Sequence, residues 1–453
     1  MSPVASHHQE SRLGRLRGLV VGFAAASLLA GCSVAATSPS PTSGAVPSPS
    51  ASASTIATEA PSTTPSSIPS IGTAPAGQWN GIRWISAGSA FPQAPTAGTA
   101  KGSFVTVSVY GWSRGYVGFR TAIDQIPSTS VTMVSTFSAD GLHWTTGRPM
   151  EVDGLKSWVD ITQVVEGPSG LLAVGRYPGA ACGGPATIDA LWTSTDGLDW
   201  SLVQPSADFA SANFASANVY WVDGGTTGFI ASGIKKDGKT QAVWLSADGR
   251  SWATVPLTGP AFGDFVLDGA TNFVGGYVIS GAVLKDSGCG QTWVTPSLWW
   301  SADGESWTRS ELTGAVTAND AYSNTTKVSD HALMAVANEW DETTQVNSQQ
   351  VWVSSDGHTW KLVASPSSML GDGIMTDGQR GLVVVEPGPG SDGPPTVATV
   401  GDDLTVKTLS QTGDVPIYSA AVSPVWLTAL GPTGVVILSS DGLDLWLGVP
   451  TAS

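Results

Sequence analysis

The chain has 453 residues, of which only 12% are charged, while Gly numbers 54, Pro 29 and Trp 19. That balance disfavours long solvated helices and favours many short strands joined by tight turns. The net charge of −16 would repel phosphate backbones, which excludes nucleic acid as a natural partner.

Residues 1–18 are polar and carry three arginines, and Leu19 to Ala30 is an apolar run of twelve that ends in small residues. This is the layout of a secretory signal. Twelve helical residues span roughly 18 Å against a hydrocarbon core of ~30 Å, so an uncleaved transmembrane anchor is the weaker alternative. The tetrapeptide Leu29-Ala30-Gly31-Cys32 resembles the lipobox of bacterial lipoproteins. The resemblance implies removal of residues 1–31 and lipidation of Cys32, which would hold the protein on the extracytoplasmic face of the cell membrane through acyl chains. Cleavage removes Arg12, Arg15, Arg17 and Glu10 and moves the net charge from −16 to −18.

Residues 32–78 follow as a tether made almost entirely of Ser, Thr, Pro, Ala and Gly, with one charge at Glu59. Such a segment cannot bury a core and is expected to stay disordered. In extended form, at ~3.1 Å per residue, it reaches on the order of 100 Å.

The remainder, 79–453, carries a repeat. SADGLHW (138–144), STDGLDW (194–200), SADGRSW (246–252), SADGESW (301–307) and SSDGHTW (354–360) begin 56, 52, 55 and 53 residues apart. A period near 50 with strand-like flanks marks a radial or stacked array. Asp-Gly is a tight-turn pair, because Gly takes φ > 0 without steric cost and the Asp carboxylate can accept the turn's own amides. Each copy therefore reads as strand, turn, strand, with Asp140, Asp196, Asp248, Asp303 and Asp356 as structural turn caps. One carboxylate per turn does not make a calcium loop, and no metal or other cofactor is expected.

These copies resemble the Asp-box, or BNR, repeats of sialidases and other secreted propellers, although each is one residue shorter than the family's S-x-D-x-G-x-T-W. The resemblance implies a β-propeller with the turn between the third and fourth strands of a blade, on the side away from any ligand. Third strands near residues 136, 192, 244, 299, 352, 398 and 446 predict seven blades, with six or eight as alternatives. The sixth, VATVGDDLTVKTL (397–409), keeps the turn without the tryptophans. The last, from 424, reaches only a third strand, with Trp446 in the place of Trp244. GIRWIS (81–86) stands alone before the first blade and is predicted to complete the last one, so the ring is closed by its N-terminal strand.

Cys182 and Cys289 each lie twelve residues before a repeat serine, in equivalent second-to-third loops, and an oxidising compartment favours a disulfide between them. The obstacle is that their Cα atoms must approach within ~7 Å across an intervening blade. The loops joining second to third strands, and those joining blades, share the face where propellers commonly take ligands. There the chain offers Arg148, Trp158, Asp208, Trp293, Trp340, Asp341 and Glu342. Tryptophan near carboxylates suits sugar stacking, and the same residue types serve equally as packing in a Trp-rich chain. No catalytic residue emerges: Arg83 lacks the sialidase Phe-Arg-Ile-Pro context, and His331 is the one histidine left after the signal and the repeat turns are set aside. The expected function is a membrane-anchored binding or scaffold module for an envelope glycan or protein, and the alternative is a divergent sialidase-like or other carbohydrate-active hydrolase. The oligomeric state stays open.

Overall fold

The computed structural model describes residues 79–91, 104–123, 131–150, 160–178, 187–203, 218–235, 240–273, 275–286, 292–310, 312, 314, 322–329, 331–341, 346–364, 374–375, 381–385, 393–417, 427–439 and 444–451. Their regular elements are all strands, arranged in seven sheets and joined by turns. After β1 (Gly81–Gly88), blade one is β2 (Phe104–Trp112), β3 (Gly115–Ile123), β4 (Val131–Ser138) and β5 (Thr145–Pro149). Blade two is β6 (Asp160–Gly167), β7 (Gly170–Pro178), β8 (Thr187–Ser194) and β9 (Ser201–Leu202). Blade three is β10 (Asn218–Gly225), β11 (Gly228–Ile234), β12 (Gln241–Ser246) and β13 (Ala253–Thr254). Blade four is β14 (Phe265–Phe273), β15 (Gly276–Asp286), β16 (Thr292–Ser301) and β17 (Thr308–Ser310). Blade five is β18 (Tyr322–Ser329), β19 (Ala332–Asp341), β20 (Val346–Ser354) and β21 (Lys361–Leu362). Blade six is β22 (Ile374–Met375), β23 (Leu382–Val385), β24 (Thr396–Val400) and β25 (Val406–Thr408). Then come β26 (Ser410–Gly413), β27 (Leu427–Leu430), β28 (Val435–Leu438) and β29 (Leu445–Pro450).

Six sheets are four-stranded meanders and the seventh has the order β26-β1-β29-β28-β27. The first strands of neighbouring blades lie side by side, from β27 through β2, β6, β10 and β14 to β18, so their unpaired edges line a central axis. The fold is a seven-bladed β-propeller.

Strands such as β11 and β28 are buried along nearly their whole length, so each blade is apolar on both faces and must be covered twice. Seven clusters do this, one for each pair of adjacent blades, including one between blades seven and one. Trp192, Trp244, Trp299 and Trp352, two residues before each repeat serine, are at most 1% exposed. Burying each indole is worth roughly 4–6 kcal/mol of transfer free energy.

The closing strand pairs as the sequence predicts. β1 runs antiparallel to β29, from Ile82 opposite Pro450 to Gly88 opposite Leu445. The blade also carries a strand that the repeat alignment does not contain. β26 leaves blade six and pairs in parallel with β1, Gly81 opposite Ser410 through Trp84 opposite Gly413. It covers the edge that β1 would otherwise leave unpaired, where an exposed row of amides and carbonyls invites association. Within this blade Trp446 is only half-buried, and the fully buried indole is Trp84.

Candidate ligand-binding channel

The five repeat turns share one hydrogen-bond plan. In the third, Ser246 Oγ donates to Asp248 Oδ1 (3.1 Å) and accepts from Gly249 N (2.8 Å). Asp248 Oδ1 accepts the amides of Arg250 and Ser251, both at 2.8 Å, and Trp252 Nε1 donates to the Gly249 carbonyl at 3.1 Å. Asp140, Asp196, Asp303 and Asp356 accept equivalent pairs of amides. The glycines of these turns have φ between 72° and 79°, the left-handed region that a Cβ disfavours. At Asp303 the amides of Ser306 and Glu305 and the Ser301 hydroxyl hold the carboxyl down at about 2. At Asp248 burial opposes and the amides of Ser251 and Arg250 prevail, so its pKa is also lowered.

These turns face the preceding blade. A Cβ at Gly249 would meet Thr193, Phe229 and Leu172, and one at Gly197 would meet Val117 and Phe137. The plan therefore closes each hairpin and seats it against its neighbour. It engages the aspartates with their own loops.

Of the residues singled out on the ligand face, Arg148 lies on β5, the outermost strand of blade one, and is highly exposed. Its Nε is 3.6 Å from Asp199 Oδ1 in the repeat turn of blade two, so it belongs to the rim on the turn side and not to the axis. Trp293 pairs with Lys285 in the β15–β16 hairpin, and Trp340 and Asp341 pair with Asn347 and Val346 in β19–β20, which puts their backbones at the second-to-third loop ends. Trp158, Asp208, Glu342, Cys32, Cys182 and Cys289 lie outside the described residues. His331 is exposed, in the turn between β18 and β19.

The described chemistry at the axis comes from other residues. Near the turn end of the inner strands, Lys327 Nζ on β18 donates to Asp223 on β10 (2.9 Å) and to the Gly224 carbonyl (2.8 Å), bridging blades three and five. Asp223 Oδ2 accepts the amide of Asn272 on the intervening β14 at 2.8 Å. Asn272 Nδ2 in turn donates to Thr227 Oγ1 and to the Gly228 carbonyl. This polar staple draws three inner strands together. On blades one and two, Ser113 donates through both its amide and its hydroxyl to Glu166.

Away from the staple the wall changes character. Trp221 is 42% exposed although it sits on an innermost strand. Side chains two apart on a strand share a face, and Asp223 faces β14 through its bond with Asn272, so Trp221 is turned toward β14 as well. On that strand a bulge between Leu267 and Gly269 puts Asp268 out of the ladder. Asp268 is exposed on this strand, although neighbouring protein atoms surround it closely enough to disfavour its charged form. That desolvation pushes its pKa up to about 6. Among the described residues it has no hydrogen bond or ion pair. The same bulge recurs on β6 and β10, between Ile161 and Gln163 and between Val219 and Trp221. Gln163 Oε1 accepts the amide of Val222 at 3.0 Å, tying the Trp221 segment to blade two.

No protein-family model matches the chain, and no curated protein matches it. Among solved structures the chain is similar to the β-propeller domain of the Trilobed protease from Pyrococcus furiosus, at 9% identity over 77% of this chain and 94% of that one, with a TM-score of 0.43. It is also similar to an α-L-arabinofuranosidase from Fusarium graminearum (12% identity, 73% and 97% covered, TM-score 0.34). A third is the Aleuria aurantia lectin, seen with α-methyl-L-fucoside (12% identity, 78% and 96% covered, TM-score 0.30).

Proposed function

We propose that the protein is an exported lipoprotein, anchored to the outer face of the membrane through Cys32, whose propeller binds a glycan or protein of the cell envelope. The observation that carries the binding half is Trp221: an indole 42% exposed on an inner strand of the ring. Exposing an aromatic face costs free energy that a stacked ligand recovers, and concave sites with few polar groups are the usual form of small-ligand pockets. The repeat turns serve as structure in this reading, because their aspartates are spent on their own loops. The Leu29-Ala30-Gly31-Cys32 segment and the Ser/Thr/Pro-rich tether supply the anchoring half.

The test is sedimentation of the purified unlipidated chain, starting after Cys32, with isolated cell envelopes, comparing wild type and Trp221→Ala at equal folded concentration. The reading expects wild type to pellet and the variant to stay at least tenfold more in the supernatant. Equal pelleting of the two would reject the channel as the contact site.

One observation favours a second reading. A carboxyl raised to about 6 suits a general acid for glycoside hydrolysis, provided a second carboxylate stands ~5–10 Å away. Turnover of aryl glycosides that disappears in Asp268→Asn would establish it.

A further inference from the structure

The repeat turns carry a chemical hazard in their own sequence. Asp140, Asp196, Asp248, Asp303 and Asp356 are each followed by Gly, which has no Cβ to shield the aspartyl carboxyl from the next backbone nitrogen. When that nitrogen bonds to the Asp Cγ, one water leaves and a five-membered succinimide forms. Hydrolysis returns the water and reopens the ring mostly with the chain running through the side-chain carboxyl, so the mass is unchanged and the backbone gains a methylene. We propose that the serine of each repeat guards its turn against this isomerisation, by engaging the glycine amide through its hydroxyl.

In all five turns the serine Oγ accepts the glycine N–H, at 2.8 Å from Gly141, Gly249, Gly304 and Gly357 and at 2.9 Å from Gly197. To attack, the nitrogen must give up that proton and turn its lone pair toward Cγ, and a buried hydrogen bond opposes both. The carboxyl is held as well. Asp248 Oδ1 accepts the Ser246 hydroxyl and the amides of Arg250 and Ser251, and the other four aspartates are bonded in the same way. Such bonds favour the ionised form, from which water leaves poorly, and at Asp303 they keep the neutral acid scarce at pH 7.

Blade six supplies the contrast. Its turn, Gly401-Asp402-Asp403-Leu404, lacks the repeat serine, and neither of its aspartates precedes a glycine, so the guard and the labile pair are absent together. The packing shows what isomerisation would damage. A Cβ at Gly197 would come within 2.6 Å of Val117, and one at Gly304 would press on Leu245 of the preceding blade. A methylene added to the main chain there would unseat the hairpin from its neighbour.

The guard is tested by ageing the purified unlipidated chain at pH 7.5 and about 37 °C and locating isoaspartate by peptide mass spectrometry with electron-transfer fragmentation. The five turn aspartates should isomerise at least tenfold more slowly in the folded protein than in the same chain unfolded in urea. Ser246→Ala should speed Asp248 at least tenfold while Asp303, with its serine intact, keeps the wild-type rate in the same molecule. Ser301→Ala should do the reverse, and serves if Ser246→Ala fails to fold. Ser246→Thr, which keeps a hydroxyl, should age like wild type, and Trp252→Phe, which removes only the indole bond to the Gly249 carbonyl, should leave Asp248 slow. The proposal is overturned if the folded and unfolded chains isomerise at similar rates, or if each aspartate stays slow after loss of its own serine. It is overturned equally if one serine change speeds all five turns together, or if Trp252→Phe speeds Asp248 as much as Ser246→Ala does, since turn rigidity would then be the protection.

Discussion

Replacing Trp84 with Ala tests the ring closure at its most loaded point. The indole is 1% exposed and packs between blades six and seven with Leu382, Val384 and Val397. Its Nε1 donates to Gln411 Oε1 on β26 at 2.8 Å, and its backbone lies opposite Gly448 on β29, where an added Cβ would come within 2.9 Å of the ring. One side chain therefore joins the N-terminal strand to two segments more than 300 residues away in sequence. Truncating a buried Trp to Ala costs about 3–5 kcal/mol, and the lost hydrogen bond leaves the Gln411 carbonyl to find water at about 1 kcal/mol more. The expected loss of about 4–6 kcal/mol is comparable with the whole stability of many domains. Urea unfolding followed by near-UV circular dichroism would measure it, with Trp446→Ala, at the half-buried position, expected to lose less than half as much. A Trp84→Ala protein within 1 kcal/mol of wild type would refute closure through β1.

Other outcomes follow from the same geometry. Asp248→Ala removes the acceptor of two amides and a hydroxyl and should lower stability by about 1–2 kcal/mol in urea unfolding without changing envelope binding. Asp268→Asn should change the pH profile of stability. The folded-state pKa of about 6 stands above the ordinary carboxylate value of 3.8, so the native state holds a proton that the unfolded chain releases, and wild type loses stability as pH rises from about 4 to 6. Contact with solvent reduces the effect to about 1 kcal/mol, and the variant should show a flat profile in that window. The repeat-turn aspartates have lowered pKa values and act in the opposite sense, weakening the fold as pH falls below about 4. Cys32→Ser should leave the precursor unprocessed by a lipoprotein signal peptidase and release the protein from the membrane fraction, and unchanged processing and retention would contradict lipid anchoring.

The blades were legible because each repeat carries an Asp-Gly turn and a large indole at fixed spacing, and both survive as the same hydrogen bonds in the folded chain. Blade six could be followed without tryptophan, since GDDL still turns the chain: Leu404 N donates to the Gly401 carbonyl at 2.8 Å, with Leu404 at φ 64°. β26 was not legible. Ser410–Gly413 reads SQTG, with no apolar alternation, and its partner lies over 320 residues away in a parallel pairing that no local pattern announces. Trp221 and Asp268 escaped for a different reason. A bulge adds one residue to one strand and reverses which side chains face inward beyond it, so VYWVDG and FVLDGA look like ordinary strand segments until the register is known. Arg148 misled because its place at the end of a blade suggested the loop face, while its partner Asp199 holds it on the turn side.

Hydroxyl-radical footprinting of the mature protein with and without solubilised envelope material tests the central claim most directly, because it reads side chains one at a time. Trp221, 42% exposed in the channel, should lose most of its oxidation when ligand is present, while Leu362 (40%) on an outer strand and Ile417 (60%) beyond β26 keep theirs. Protection confined to Leu362, Ile417 or the repeat turns, with Trp221 oxidised as before, would contradict a binding site in the channel.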